Sequence, residues 1–161
     1  MNLQPFERCE GLSISADAKR VGDVIEFAYL IEGETADVVI PPPSPPLRTD
    51  GLWRATCFEA FIAIGSTTYV ELNFSPSGQW AAYRFTDYRQ GMHELDIEPP
   101  RISFIDNNLV AVVELEYGGS ALNLTSVIEH KDGTRSYWAL AHPKGDHPDF
   151  HTRDCFVASL P

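Results

Sequence analysis

Residues 53–89 read WRATCFEAFIAIGSTTYVELNFSPSGQWAAYRFTDYR, and side-chain parity along this stretch decides the fold. In a strand, successive side chains point to opposite faces. Cys57–Ile64 therefore sets Phe58, Ala60, Ile62 and Ile64 against Cys57, Glu59 and Phe61. Tyr69–Phe74 repeats the device, with Val70, Leu72 and Phe74 opposing Tyr69, Glu71 and Asn73. Paired across Gly65–Thr68, these strands put Glu59, Glu71 and Asn73 on one face and the apolar set on the other, which must be the core. Ser75-Pro76-Ser77-Gly78 then supplies a tight turn into Gln79–Phe85. That strand offers either Ala81, Tyr83 and Phe85 or Trp80, Ala82 and Arg84 to the polar face. The first trio better continues the apolar side, so Trp80 and Arg84 are expected beside Glu59 and Glu71.

Strand signals continue in both directions. Val24–Ile31 is a β-branched and aromatic run, and Leu109–Tyr117 and Leu122–Glu129 are similar. A Lys131-Asp132-Gly133 turn returns the chain into Arg135–His142, and Cys155–Ser159 reads as the last strand. Helical pattern is scarce. Asp87–Leu95 is expected to form at most a turn or two, weakened by Gly91 and stopped before Pro99-Pro100. The run PPPSPP at 41–46 reads as a stiff polyproline crossover between sheets. The expectation is an all-β fold, an antiparallel β-sandwich of jelly-roll or immunoglobulin-like type, formed as one domain over residues 1–161.

The chain has 161 residues, 43% hydrophobic and 22% charged, which is the composition of a folded domain and excludes wholesale disorder. Its formal net charge of −11 argues against nucleic acid and anionic membrane as partners. No apolar run approaches the ~18 residues of a membrane-spanning helix. The opening MNLQPFERCEGL has an acid and no apolar signal region, and Cys9, Cys57 and Cys155 are few and scattered. Both features lead to the expectation of a cytoplasmic protein with reduced thiols.

Carboxylate, amide, guanidinium and indole groups sharing one sheet surface suit a hydroxyl-rich ligand: a ring lies under its C–H face while polar groups meet its rim. The expected ligand-binding set is Glu59, Glu71, Asn73, Trp80 and Arg84, with Trp53 and Trp138 as further rings. Acids on paired strands also suggest a glycosidase pair, whose carboxyls stand roughly 5 to 9.5 Å apart. Such pairs are commoner as surface charge, and no nucleophile elbow, phosphate loop or dinucleotide fingerprint is present, so a non-catalytic role is expected. In the tail, His147-x-Asp149-x-His151 puts three metal-ligating side chains on one side if the segment is extended.

The order Trp53, TCFEAF (56–61), YVELNFSPSG (69–78) and WAAYRF (80–85) resembles the DOMON-like domains related to family 9 carbohydrate-binding modules. Glu59 with Phe61 matches an acid-centred strand of the form E-x-F. Tyr69, Asn73, Pro76 and Gly78 match a tyrosine-led strand ending in N-x-x-P-x-G. The tail SYWALAHPKGDHPDFHTRDCF (136–156) is similar to that of bacterial DOMON-like proteins. The resemblance spans roughly residues 10 to 160 and implies a jelly-roll-like sandwich that binds sugar or haem. Haem-binding relatives use Met and His as axial ligands. Met92 and His93 are the matching residue types, adjacent in a loop-like segment, so no haem or other cofactor is expected as the main reading. A small polar ligand, a sugar, is the expected partner. A haem or metal protein, or a protein-interaction module with an exposed docking sheet, are the alternatives.

Overall fold

A computed structural model describes residues 1–119 and 121–160. Its strands are β1 (Gln4–Pro5), β2 (Leu12–Val21), β3 (Val24–Gly33), β4 (Cys57–Ala63), β5 (Tyr69–Phe74), β6 (Trp80–Phe85), β7 (His93–Glu94), β8 (Arg101–Ile105), β9 (Asn108–Glu114), β10 (Ala121–Glu129), β11 (Arg135–Ala139) and β12 (Ala158–Ser159). The larger sheet runs β1-β11-β10-β4-β5-β6-β7, with β12 also paired to β10; the smaller runs β2-β3-β9-β8. Every strand pairing is antiparallel, and the two sheets form the expected sandwich.

The core lies between the sheets. Phe58, Ile62, Leu72, Phe74 and Leu124 of the larger sheet meet Ile14, Ile25, Phe27, Tyr29 and Leu109 of the smaller. Phe27 packs on Phe74 at 5.6 Å between ring centres, and Tyr29 on Phe58 at 5.1 Å. The Tyr29 hydroxyl crosses the layer to donate to the Glu59 backbone carbonyl at 2.6 Å. The smaller sheet thus holds β4 from beneath, at the residue whose side chain points the other way.

Four strands exceed the sequence expectation, the two-residue β1 and β7 and the longer β2 and β8. In β2, LSISADAKRV, the buried positions are Ile14, Ala16 and Ala18, and the alanines dilute the apolar alternation. Strand β8 joins β9 through Asp106 and Asn107, both at positive φ (51° and 61°), the backbone of a two-residue type I′ hairpin. Asp87–Leu95, expected as a turn or two of helix, forms instead a bridged turn followed by β7. Arg89 and Gly91 sit at φ 50° and 63°, outside the right-handed helical region. The proline-rich run lies in the connection that leaves β3 of one sheet and enters β4 of the other, as expected. It is pinned at Ser44, whose N–H donates to the Ser77 carbonyl at 2.9 Å, and at Thr49, whose N–H donates to the Trp80 carbonyl at 2.8 Å.

Pairing between β5 and β6 fixes the parity of the third strand. Phe74 opposes Trp80, Leu72 opposes Ala82 and Val70 opposes Arg84. Opposed residues share a face, so Trp80 and Arg84 lie on the core side and Ala81, Tyr83 and Phe85 on the side of Glu71. The expected parity was reversed because both faces of these strands are packed: every residue of β4 and β5 is buried. A second apolar cluster, including Phe61, Tyr69, Tyr83, Phe85, Phe150 and Phe156, covers the outer face. Greasiness therefore does not distinguish the two sides of β6. Trp80 is only 3% exposed, with the Arg48 guanidinium 4.2 Å from its ring centre. Trp80→Ala is expected to lower unfolding free energy by roughly 3–5 kcal/mol, as a core truncation does. Urea denaturation at constant m-value measures this, and a change under 1 kcal/mol would contradict the inward placement.

Candidate functional site

The outer face of β10-β4-β5-β6 carries two adjacent rows of side chains. One row is Thr125, Glu59, Asn73 and Ala81; the next includes Phe61, Glu71 and Tyr83. Glu59 and Glu71 are thereby diagonal neighbours on β4 and β5, held in register by ladders on both sides. They are 2% and 7% exposed. Thr125 Oγ1 donates to Glu59 Oε2 at 3.1 Å, and Asn73 Nδ2 donates to Glu71 Oε1 at 3.0 Å. The Asn73 Oδ1 is buried and has no hydrogen-bond partner.

Burial, reinforced by the neighbouring Glu71 charge, pushes the Glu59 carboxyl well above the usual carboxylate range despite the Thr125 bond. Burial also pushes Glu71 up to about 7, opposed by the Asn73 bond and by the positive charge of Arg89. His151 Nε2 stands 3.8 Å from Glu71 Oε2. This is not a charged pair, because burial, with Arg89 adding to it, lowers His151 to about 4. The Tyr69 hydroxyl accepts the Arg89 backbone N–H at 3.1 Å and shares a hydrogen bond with His151 Nδ1 at 2.7 Å. Nε2 of the neutral imidazole faces Glu71 from beyond hydrogen-bond reach.

Above the two acids opens a cleft of about 790 Å³. Its floor is the sheet, with Glu59, Glu71, Phe61, Tyr83 and Phe85; Trp53 and Arg54 form one wall, Arg89 and Met92 another, and Phe150 and His151 the tail side. Gly51, at φ 74°, starts the short 3-10 turn Leu52–Arg54 that carries Trp53. Trp53 is 49% exposed, with the Arg54 guanidinium 5.3 Å from its ring centre. Asp50 Oδ1 accepts the Tyr83 hydroxyl at 2.5 Å. Across the cleft, Asp149 clamps the tail: it accepts from Tyr88 Oη at 2.5 Å, Arg89 at 2.9 Å, the His151 backbone N–H at 3.0 Å and Thr152 Oγ1 at 3.1 Å. Burial raises this carboxyl, but those bonds outweigh it and hold it below the ordinary value. A smaller hollow of about 380 Å³ beside Tyr88 and Arg89 is lined by the loop 143–149 and contains neither of the buried glutamates.

Of the residues expected to bind ligand, Glu59, Glu71 and Trp53 line the cleft, and Asn73 lies on the same face between the glutamates. Trp80 and Arg84 face the core side; the Arg84 guanidinium lies 5.5 Å from the Tyr117 ring centre, by the sheet edge. Trp138, opposed to Ser126 and 2% exposed, is in the core, where its Nε1 donates to Ser136 Oγ at 2.9 Å. The tail triplet is not gathered, because the chain bends at 144–147 and turns at 150–151 instead of running extended. His147 is exposed beside Asp146, Asp149 is filled by its four donors, and His151 turns to Tyr69 and Glu71. Among the described residues no three His, Cys, Asp or Glu side chains are grouped as a metal ion needs. Met92 lines the cleft, whereas His93 lies on β7 with Nδ1 3.0 Å from the Gly91 carbonyl. Tyr83, Phe85, Arg54 and Arg89 were missed as cleft residues. The pairing of Glu71 with Tyr83 was recoverable from the length of the Ser75–Gln79 turn, which joins Phe74 to Trp80.

A raised carboxyl pKa means that the folded state holds a proton the unfolded chain has released. Stability is then greatest below about 4.5 and declines as pH rises through about 7. A shift of this size corresponds to about 3 kcal/mol. Glu71→Gln is expected to match the parent at pH 5 and to exceed its thermal midpoint at pH 8. A midpoint lower at pH 8 than the parent's would show that ionised Glu71 stabilises the fold.

No family model matches the chain, and no curated protein matches its sequence. A solved structure that it resembles is that of a "putative carbohydrate-binding protein" from Bacteroides uniformis ATCC 8492, with a TM-score of 0.70 over 99% of this chain and 86% of that one, at 12% identity. The likeness extends through both sheets and establishes a shared fold.

Proposed function

We propose that the cleft over the larger sheet binds a small hydroxyl-rich ligand of the sugar class, without catalysing a reaction on it. The observation that carries this reading is the pair of nearly buried carboxylates, Glu59 and Glu71, at the floor of an open cleft with aromatic walls. Withdrawing two acids from water beside no committed cation opposes folding, and apolar side chains would fill the same sheet positions more stably. Their unfilled acceptor capacity suits a ligand that brings hydroxyl donors. The cleft's volume falls in the ordinary range for small-molecule sites. Trp53, flat and half exposed at the rim, has the form of a platform for the C–H face of a sugar ring.

The fold shared with a protein described as carbohydrate-binding supports the same reading. Placement of the acids favours binding over hydrolysis. Glycosidase carboxyls flank the scissile bond, whereas Glu59 and Glu71 both rise from one sheet floor. Calorimetric titration with a panel of mono- and disaccharides tests the proposal. Trp53→Ala is expected to weaken any detected binding at least tenfold while leaving the thermal midpoint within a few degrees, since the ring is half exposed. Binding that is indifferent to both Trp53→Ala and Glu71→Gln would place the sugar elsewhere.

A further inference from the structure

The hydrogen-bonding capacity of the cleft floor is one-sided. Once ionised, the form that an arriving cation favours, a carboxylate offers about four acceptor positions; Glu59 receives one side-chain donor, from Thr125, and Glu71 one, from Asn73. With its Nδ2 committed to Glu71, Asn73 keeps an Oδ1 that accepts nothing, although the residue is fully buried. Among the described residues no further side-chain donor hydrogen-bonds either glutamate. Arg89 is tied to Asp149, the Tyr83 hydroxyl donates to Asp50, and His151 Nε2 stops 3.8 Å short of Glu71. Arg54 leans on the Trp53 ring at the rim. The floor therefore has more acceptor capacity than the donors bonded to it fill, with Phe61, Tyr83 and Phe85 beside the acids.

We infer that the ligand of this cleft carries a protonated amine, so that within the sugar class it is an amino sugar. The inference rests on the sugar reading of the cleft and narrows it. A neutral hydroxyl supplies one hydrogen and no charge. An ammonium supplies three N–H donors together with the positive charge that two adjacent carboxylates lack, and aromatic faces add cation–π attraction. The chain's net charge of −11 favours approach of a cation at low ionic strength. Groups facing Glu71 are Glu59 from β4, Tyr83 from β6, Arg89 from the following loop and His151 from the tail. Of these only Arg89 is a fixed cation, and Asp149 opposes it at 2.9 Å.

The test is calorimetric titration of the full chain with glucosamine, galactosamine, N-acetylglucosamine, glucose and the non-sugar amine choline, at pH 7.5 in low and high salt. At least one amino sugar is expected to bind ten times tighter than glucose or more. N-acetylation, which removes the charge, is expected to abolish that advantage, and added salt to reduce it. Glu59→Gln and Glu71→Gln, each preserving shape, are expected to level the amino sugars with glucose, with unchanged folding by circular dichroism. Equal binding of glucose and both amino sugars would overturn the amine inference and leave the sugar reading standing. Binding of choline with no sugar bound would do the reverse. Silence from all five would overturn both.

Discussion

Strand register holds Glu59 and Glu71 side by side, and a folded-over tail takes them out of water; the chemistry of the molecule follows from that pairing. Neither acid can move away from the other without breaking a ladder, because β4 is paired to β5 and β10, and β5 to β4 and β6. The desolvation cost is therefore fixed in the folded state and is relieved only by taking up a proton or by a donor arriving from outside. The backbone beneath is correspondingly rigid. Tyr29 reaches from the smaller sheet to the Glu59 carbonyl, and Phe58 and Phe74 fill the layer below. Groups held this firmly lose little freedom when a ligand docks.

The two sides of the cleft are built differently. The tail side is closed by a network centred on Asp149, which takes four hydrogen bonds, and by Phe150 and Phe156 packed against Phe61. Charge-assisted bonds from Arg89 give it specificity, and ring burial gives it most of its cohesion. The opposite side depends on a single 3-10 turn and a half-exposed indole. If one wall yields to accommodate ligands of different length, it is the Trp53 wall, since fewer packed groups hold it.

Much of the architecture was legible in the sequence. Alternation in Cys57–Ala63 and Tyr69–Phe74 gave the central hairpin, and parity put Glu59, Glu71 and Asn73 on one face, as the register shows. Failure began at β6. The expectation assumed one packed and one wet face, the usual state of an antiparallel sheet. Here the tail turns back from β11 and buries the second face, so Tyr83 and Phe85 belong beside the acids while Trp80 and Arg84 lie on the opposite side. That contact joins residues 61 and 150, separated by most of the chain, and no local pattern encodes it. Trp138 shows the same limit, since an indole serves core and site equally well. The metal triplet failed for a local reason: a bend at 144–147 and a turn at 150–151 interrupt a segment whose period-two spacing has meaning only in an extended strand.

A floor built on two buried acids also works as a filter. Ligand selection is a difference in free energy between what fits and what is repelled. An acid-bearing sugar or a phosphorylated one would bring negative charge beside Asp50 and would oppose ionisation of Glu59 and Glu71, while Arg89 is already paired with Asp149. Such ligands meet these acids on the floor, and the overall charge of −11 opposes their approach beyond the cleft mouth. Neutral and cationic ligands meet no such barrier. The arrangement that makes the two carboxylates costly to bury thus also determines which charge classes can occupy the space above them.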